Sequence, residues 1–119
     1  MKKSIIFKVL TGLSTVMIVG CVAKQDYIQI NTEEEYRTSV VGRSVGVTTT
    51  HPDGTMTGIS EEGKEIKGTW TWENGLFCRE GTIGSDKLDR DCQKIEVTED
   101  KLRVTRNNGN GSQSVFDLK

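Results

Sequence analysis

The sequence predicts an all-β domain: a small antiparallel meander of about seven strands, arranged as a barrel or a sandwich, with one short N-terminal helix. Three observations carry this. Short stretches rich in Val, Thr and Ile alternate apolar with polar residues. Turn signals separate them at roughly ten-residue intervals. The chain holds 13 Gly and a single Pro, which suits short strands joined by tight turns.

Residues 22–31 read as a tether, polar apart from Tyr27, Ile28 and Ile30. Thr32 with Glu35 three places on has the form of a capping box. Glu33, Glu34 and Glu35 suit the positive end of a helix. Tyr36, Val40 and Val41 follow at helical spacing and Gly42 is a stop, so the helix spans about residues 33–41. Residues 44–50, rich in Val and Thr, form the first strand. His51-Pro52-Asp53-Gly54 turns the chain into a second at 55–60, and Glu61-Glu62-Gly63-Lys64 turns it again. The clearest strand is 65–73, with Ile66, Gly68, Trp70 and Trp72 on one face and Lys67, Thr69, Thr71 and Glu73 on the other. Asn74-Gly75 is the strongest hairpin turn, and 76–80 returns from it. The polar stretch 81–91 reads as a loop. Strands follow at 92–98, at 102–106 with Leu102 and Val104 inward, and at 113–118. A turn at Glu99-Asp100-Lys101 and a Gly- and Asn-rich hairpin loop at 107–111 join them. Short turns make sequence neighbours pair antiparallel, and closure removes open edges. An up-and-down barrel, of the kind often called lipocalin-like, is therefore favoured over an open sandwich.

Ahead of the domain, Met1-Lys2-Lys3-Ser4 is positive and residues 9–20 are largely apolar. About a dozen apolar residues matches a cleaved export leader better than a bilayer span. Ile18-Val19-Gly20-Cys21 then resembles the lipobox of bacterial lipoproteins, with Val19 bulkier than the usual small residue. The resemblance covers residues 1–21. It implies cleavage after Gly20, lipid on the Cys21 thiol and an acylated new amine. Several acyl chains together anchor a protein stably where one does not. The alternatives are an ordinary cleaved signal or a retained single helix. Val22 after the cysteine, by resemblance to Gram-negative lipoproteins, favours the outer membrane facing the periplasm where the host has one. The chain then divides into a signal peptide (1–20), a lipidated cysteine with tether (21–31) and a β domain (32–119).

With Cys21 lipidated, Cys78 and Cys92 remain. An even pair in an oxidising compartment reads as a disulfide, and closing such a loop contributes roughly 3 kcal/mol in the chain-entropy view. A redox or metal role lacks the CxxC spacing, and His51 is the lone histidine. Three of the 16 basic residues lie in the leader and none of the 17 acidic ones does. Residues 21–119 therefore carry a net charge of −4, no footprint for nucleic acid.

The run Gly68-Thr69-Trp70-Thr71-Trp72-Glu73-Asn74-Gly75-Leu76-Phe77-Cys78-Arg79, with Asp91-Cys92-Gln93 after it, resembles a pattern in small secreted bacterial proteins of unknown function. The likeness would cover about residues 33–118 and implies no activity.

Candidate ligand-binding residues are Trp70, Trp72 and Arg79. The tryptophans share a face and could line an apolar pocket, but filling the core is the favoured role. Arg79 is expected on the surface in an ion pair, with a buried anchor for a carboxylate or phosphate as the alternative. Asp86, Asp89 and Asp91 match no EF-hand spacing and read as a solvated loop. His51 reads as an exposed turn residue. No nucleophile elbow, acid–base constellation, phosphate loop, metal site or cofactor motif is present, so the expected protein is not an enzyme. Two roles follow. The favoured one is a membrane-anchored interaction module, an inhibitor or assembly accessory with an envelope protein partner. The other is a carrier of a small apolar ligand inside the barrel.

Overall fold

The computed structural model describes residues 26–119. The leader and Cys21 lie outside the described residues. Among these residues nine strands and two short helical elements follow one another. They are β1 (Ile28–Gln29), α1 (Glu33–Ser39), β2 (Ser44–Val45), β3 (Thr48–Thr50), β4 (Thr55–Ile59) and β5 (Glu65–Glu73). After them come β6 (Leu76–Ile83), β7 (Asp86–Val97), β8 (Lys101–Thr105), α2 (Arg106–Gly109) and β9 (Gln113–Asp117). Strands β2 to β9 pair antiparallel in strict sequence order, and β1 lies beside β7 off that path.

The sheet nearly closes into a barrel. Ser44 and Lys119 exchange both backbone hydrogen bonds at 3.0 Å, Gly46 donates to the Asp117 carbonyl, and Val45 bridges Leu118. That seam joins the two ends of the meander over residues 44–46 only. Arg43 reinforces it, donating to the carbonyls of Ser39, Glu99 and Leu118.

Strand number is nine rather than seven, for two reasons. Gly46 adopts a φ of 58° and breaks the 44–50 stretch into β2 and β3. The end of the tether also joins the sheet. Ile28 and Gln29 pair with Val97 and Glu96, and the Ile30 side chain is buried. Residues 81–91 are not a loop. There β6 and β7 continue as a hairpin turning at Gly84-Ser85. The stretch is polar because alternate residues face water while Ile83 and Leu88 face inward. The Asn-rich segment forms α2, a single turn in which Asn107 and Asn108 take left-handed φ. Asn tolerates that region better than most residues.

Helix α1 closes one end of the barrel. Its capping box is formed, with the Thr32 side chain accepting from the Glu35 amide and Glu35 accepting from the Thr32 amide. Its inner face sends Tyr36 and Val40 into the core. Tyr36 stacks on Trp72 and Phe77 and tilts against Trp70, all at ring separations of 5.1–5.3 Å. Arg37 lies over the Trp70 ring and donates to the Pro52 carbonyl, tying the helix to the β3–β4 turn. β1 runs antiparallel to β7, so the chain enters the domain at this closed end.

Gly68 and Gly81 face each other across β5 and β6. A Cβ on either would meet the backbone carbonyl of the other strand, so the glycines permit the sharp coiling that closure needs. Next to them the pairing of β6 with β7 shifts between Arg79 and Gly81, where three steps on β7 oppose two on β6. This bulge bends the ribbon there.

Candidate functional site

The end of the barrel opposite α1 is open. Between the ends of the strands sits a cavity of about 170 Å³. Its walls are mostly apolar: Val45, Met56, Ile66, Ile83, Leu88 and Phe116 among them. Phe77, Ile95 and Leu102 lie between this cavity and the aromatic cluster under the helix.

Two arginines break the apolar lining. Arg79 comes from β6. Asn74 and Gly75 both take positive φ and form a two-residue turn, which pairs Glu73 with Leu76 and so sets Trp70 opposite Arg79. Directly opposed residues share a face, and Trp70 is inward, so Arg79 is inward too. Cys78 beside it lies on the opposite face of the sheet, where it is buried, and bonds Cys92 in a disulfide across β6 and β7. That pairing in turn sets Asp91 opposite Arg79. Arg106, the first residue of α2 directly after β8, supplies the second guanidinium.

Hydrogen bonds fix these groups. Arg79 Nη1 donates to the Asp89 carbonyl at 2.6 Å, and Arg106 Nη1 donates to Ser114 Oγ at 2.9 Å. The buried Gln93 donates through Nε2 to one oxygen of Asp91, and the Asn107 amide donates to the other. Partial burial holds the Arg79 guanidinium below the usual arginine range; Asp91 opposes that shift and Arg106 adds to it. Among the described residues the arginines in ion pairs are Arg37, Arg90 and Arg103. Arg79 and Arg106 are in none.

Arg79 therefore does not sit on the outer surface in an ion pair; it lines the cavity. Trp70 and Trp72 lie at the other end. Trp70 is buried and donates from its indole to the His51 carbonyl, while Trp72 donates to that of Asn31. His51 accepts from or donates to Thr57 at 2.7 Å. The three acids of the β6–β7 ribbon do not gather. Asp86 lies 3.8 Å from Lys64, Asp89 lies 3.8 Å from Lys87, and Asp91 turns inward. Among the described residues no three His, Cys, Asp or Glu side chains converge as metal ligands.

Asp91, Gln93 and Arg106 were not readable as site residues from local pattern alone. For Asp91 and Gln93 a signal existed: a Cys78–Cys92 cross-strand pair puts the residues flanking Cys92 on the face of Arg79. For Arg106 it was the period-two alternation of residues 102–106, which puts Arg106 on the inner face with Leu102 and Val104, while the β7–β8 hairpin brings the chain that follows β8 beside Asp91.

No protein-family model, no curated protein and no solved structure matches the chain.

Proposed function

We propose that this chain is a lipid-anchored binding module of the bacterial envelope, non-enzymatic, which holds a protein partner at the open mouth of its barrel. The size of the cavity carries this reading. At about 170 Å³ it falls below the roughly 300–1,000 Å³ of pockets that enclose a small molecule. It is close to the roughly 150 Å³ apolar cavity that takes a single benzene. One side chain inserted from a larger partner suits that space, and such an inserted group is the usual energetic centre of a protein interface.

The direction of the chain supports it as well. Cys21, the proposed lipid site, precedes Ile28 by seven residues, a reach of at most about 25 Å. Ile28 is at the closed end, so an anchor there leaves the mouth turned away from the bilayer and open to the periplasm. No helix among the described residues is long and apolar enough to cross a membrane. The anchor in this reading is the lipid alone.

A carrier role for a small apolar ligand is the second reading, favoured by the apolar walls. The two are separated by a photo-crosslinking amino acid placed at Val47, a half-exposed residue of the mouth, or at the exposed Glu34 of α1, in cells of the producing bacterium. A discrete protein adduct from position 47 and not from position 34 is expected. Absence of a protein adduct, with a bound small molecule in native mass spectrometry that leaves on denaturation, would overturn the partner reading in favour of the carrier.

A further inference from the structure

A partner side chain would use the apolar walls of the mouth and leave its charges idle. Those charges form a definite pattern. Among the described residues Arg79 and Arg106 are in no ion pair; both line the cavity, and Asp91, opposite Arg79 and just outside that lining, is the carboxylate beside them, so these three groups carry one positive charge in excess. Arginine forks bind carboxylates in two-point contact, and the bond is strongest where water is partly excluded. An anion is therefore the group the mouth lacks. Asp91 limits which anion. A plain aliphatic acid would bring its carboxylate towards that of Asp91 and offer no hydrogen-bond donor in return. An ionised carboxylate has about four acceptor sites, and Asp91 uses one on each oxygen, for Gln93 and for the Asn107 amide. It can still accept an N–H. The mouth thus presents cations, an acceptor and an apolar hole of one side chain's volume, close together.

We propose that the mouth captures the carboxy terminus of a partner polypeptide. The terminal carboxylate lies between Arg79 and Arg106, the last residue's amide faces Asp91, and its apolar side chain fills the cavity. This rests on the reading of the mouth as a protein-binding site and names the part of the partner it takes. A free apolar amino acid offers the same three groups. The openness of the site argues for a chain end: both arginines are only partly buried, so the mouth leaves a way out for the residues that precede the terminus.

The test uses the full mature chain, purified from membranes in dodecyl maltoside, and fluorescence anisotropy with labelled hexapeptides ending in leucine, valine or phenylalanine. At least one free-acid peptide should bind ten times or more tighter than its C-terminal amide. Arg79→Gln and Arg106→Gln should each weaken it at least tenfold, and Arg79→Lys should restore part of the loss. Circular dichroism and the melting temperature report whether each variant folds; Arg106, in the turn after β8, is the safer site if Arg79→Gln does not. Equal binding of acid and amide overturns the proposal, as does normal binding by both folded variants. Displacement by free leucine or by hexanoate at the peptide's own affinity also overturns it and moves the site to small molecules. Should no peptide bind while position 47 still crosslinks a protein, the terminus reading falls and the mouth remains the docking site. A null crosslink with tight, Arg-dependent peptide binding sinks the envelope partner instead.

Discussion

Tyr36 concentrates the chemistry of the closed end in one residue. Its ring touches three other aromatics, and its hydroxyl shares a hydrogen bond with the buried Thr50 at 3.2 Å. Burial pushes the phenol far above its ordinary value near 10, and the Thr50 bond, which favours the charged form, offsets only part of that. The folded state therefore holds Tyr36 neutral where the unfolded chain would release the proton. Its contribution is fully present below pH 10 and is lost as pH rises beyond, because ionisation then favours unfolding. Tyr36→Phe should cost about 1 kcal/mol at neutral pH, through the unpaired Thr50 hydroxyl, and should flatten the loss of stability above pH 10. Tyr36→Ala should cost about 3–5 kcal/mol by opening a cavity beneath the helix. Urea melts of the three proteins at pH 7 and pH 11 check both the size and the pH dependence. Parallel decline of wild type and Tyr36→Phe above pH 10 would remove the phenol from the explanation.

The elements were legible where a strand has one wet face. Ile66, Trp70 and their polar alternates marked β5, and Asn74-Gly75 marked its turn, because period-two burial is written directly into residue type. The capping box marked α1 for the same local reason. What local pattern hid was two-sided or long-range. The 81–91 stretch looked like a loop because its outer face is solvated and its inner face lines a cavity rather than a packed core. The inward turn of Arg79 required the hairpin register to be carried across the turn, and placing Arg106 required the register of the β7–β8 hairpin as well. Glycines at the β5–β6 contact were visible as residues but not as constraints. They give the element-scale prediction. Gly81→Ala forces a methyl into the Lys67 backbone carbonyl, so the two strands must part. The cost should exceed the roughly 0.5–1 kcal/mol by which alanine is otherwise preferred to glycine in a strand, leaving the variant less stable despite its better propensity. Gly63→Ala is the control: it has a left-handed φ but no atom within 4 Å of the added Cβ, so strain acts there without collision. Thermal melts that rank Gly81→Ala as the milder change would contradict this account of the coiling.

At the scale of the molecule, a sheet of short strands has to hold a curved shape around a core partly given over to a cavity. Three devices do this at different places. Helix α1 plugs one end, the residue 44–46 seam joins the first and last strands of the meander, and the Cys78–Cys92 bond locks β6 to β7 beside the mouth. Among the described residues nothing plugs the mouth, and the disulfide is the covalent restraint nearest to Arg79 and Asp91, each of which directly follows or precedes a bonded cysteine. A loop of this length, with the cysteines 14 positions apart in sequence, is worth roughly 3 kcal/mol when closed, in the chain-entropy model. For a domain of under 100 residues each kcal/mol moves Tm by about 4–8 °C, so reduction should lower it by roughly 12–24 °C. The same loss is expected for the double replacement of Cys78 and Cys92 by serine, with no further change on adding reductant. The restraint is local, so the bond should matter to the mouth beyond its effect on global stability. In reduced protein held well below its melting temperature, amide exchange should quicken first in β6 and the first half of β7, while α1 and β8 stay protected. Uniform acceleration across all the strands would mean that the bond only stabilises the whole barrel and does not specifically hold the mouth in shape.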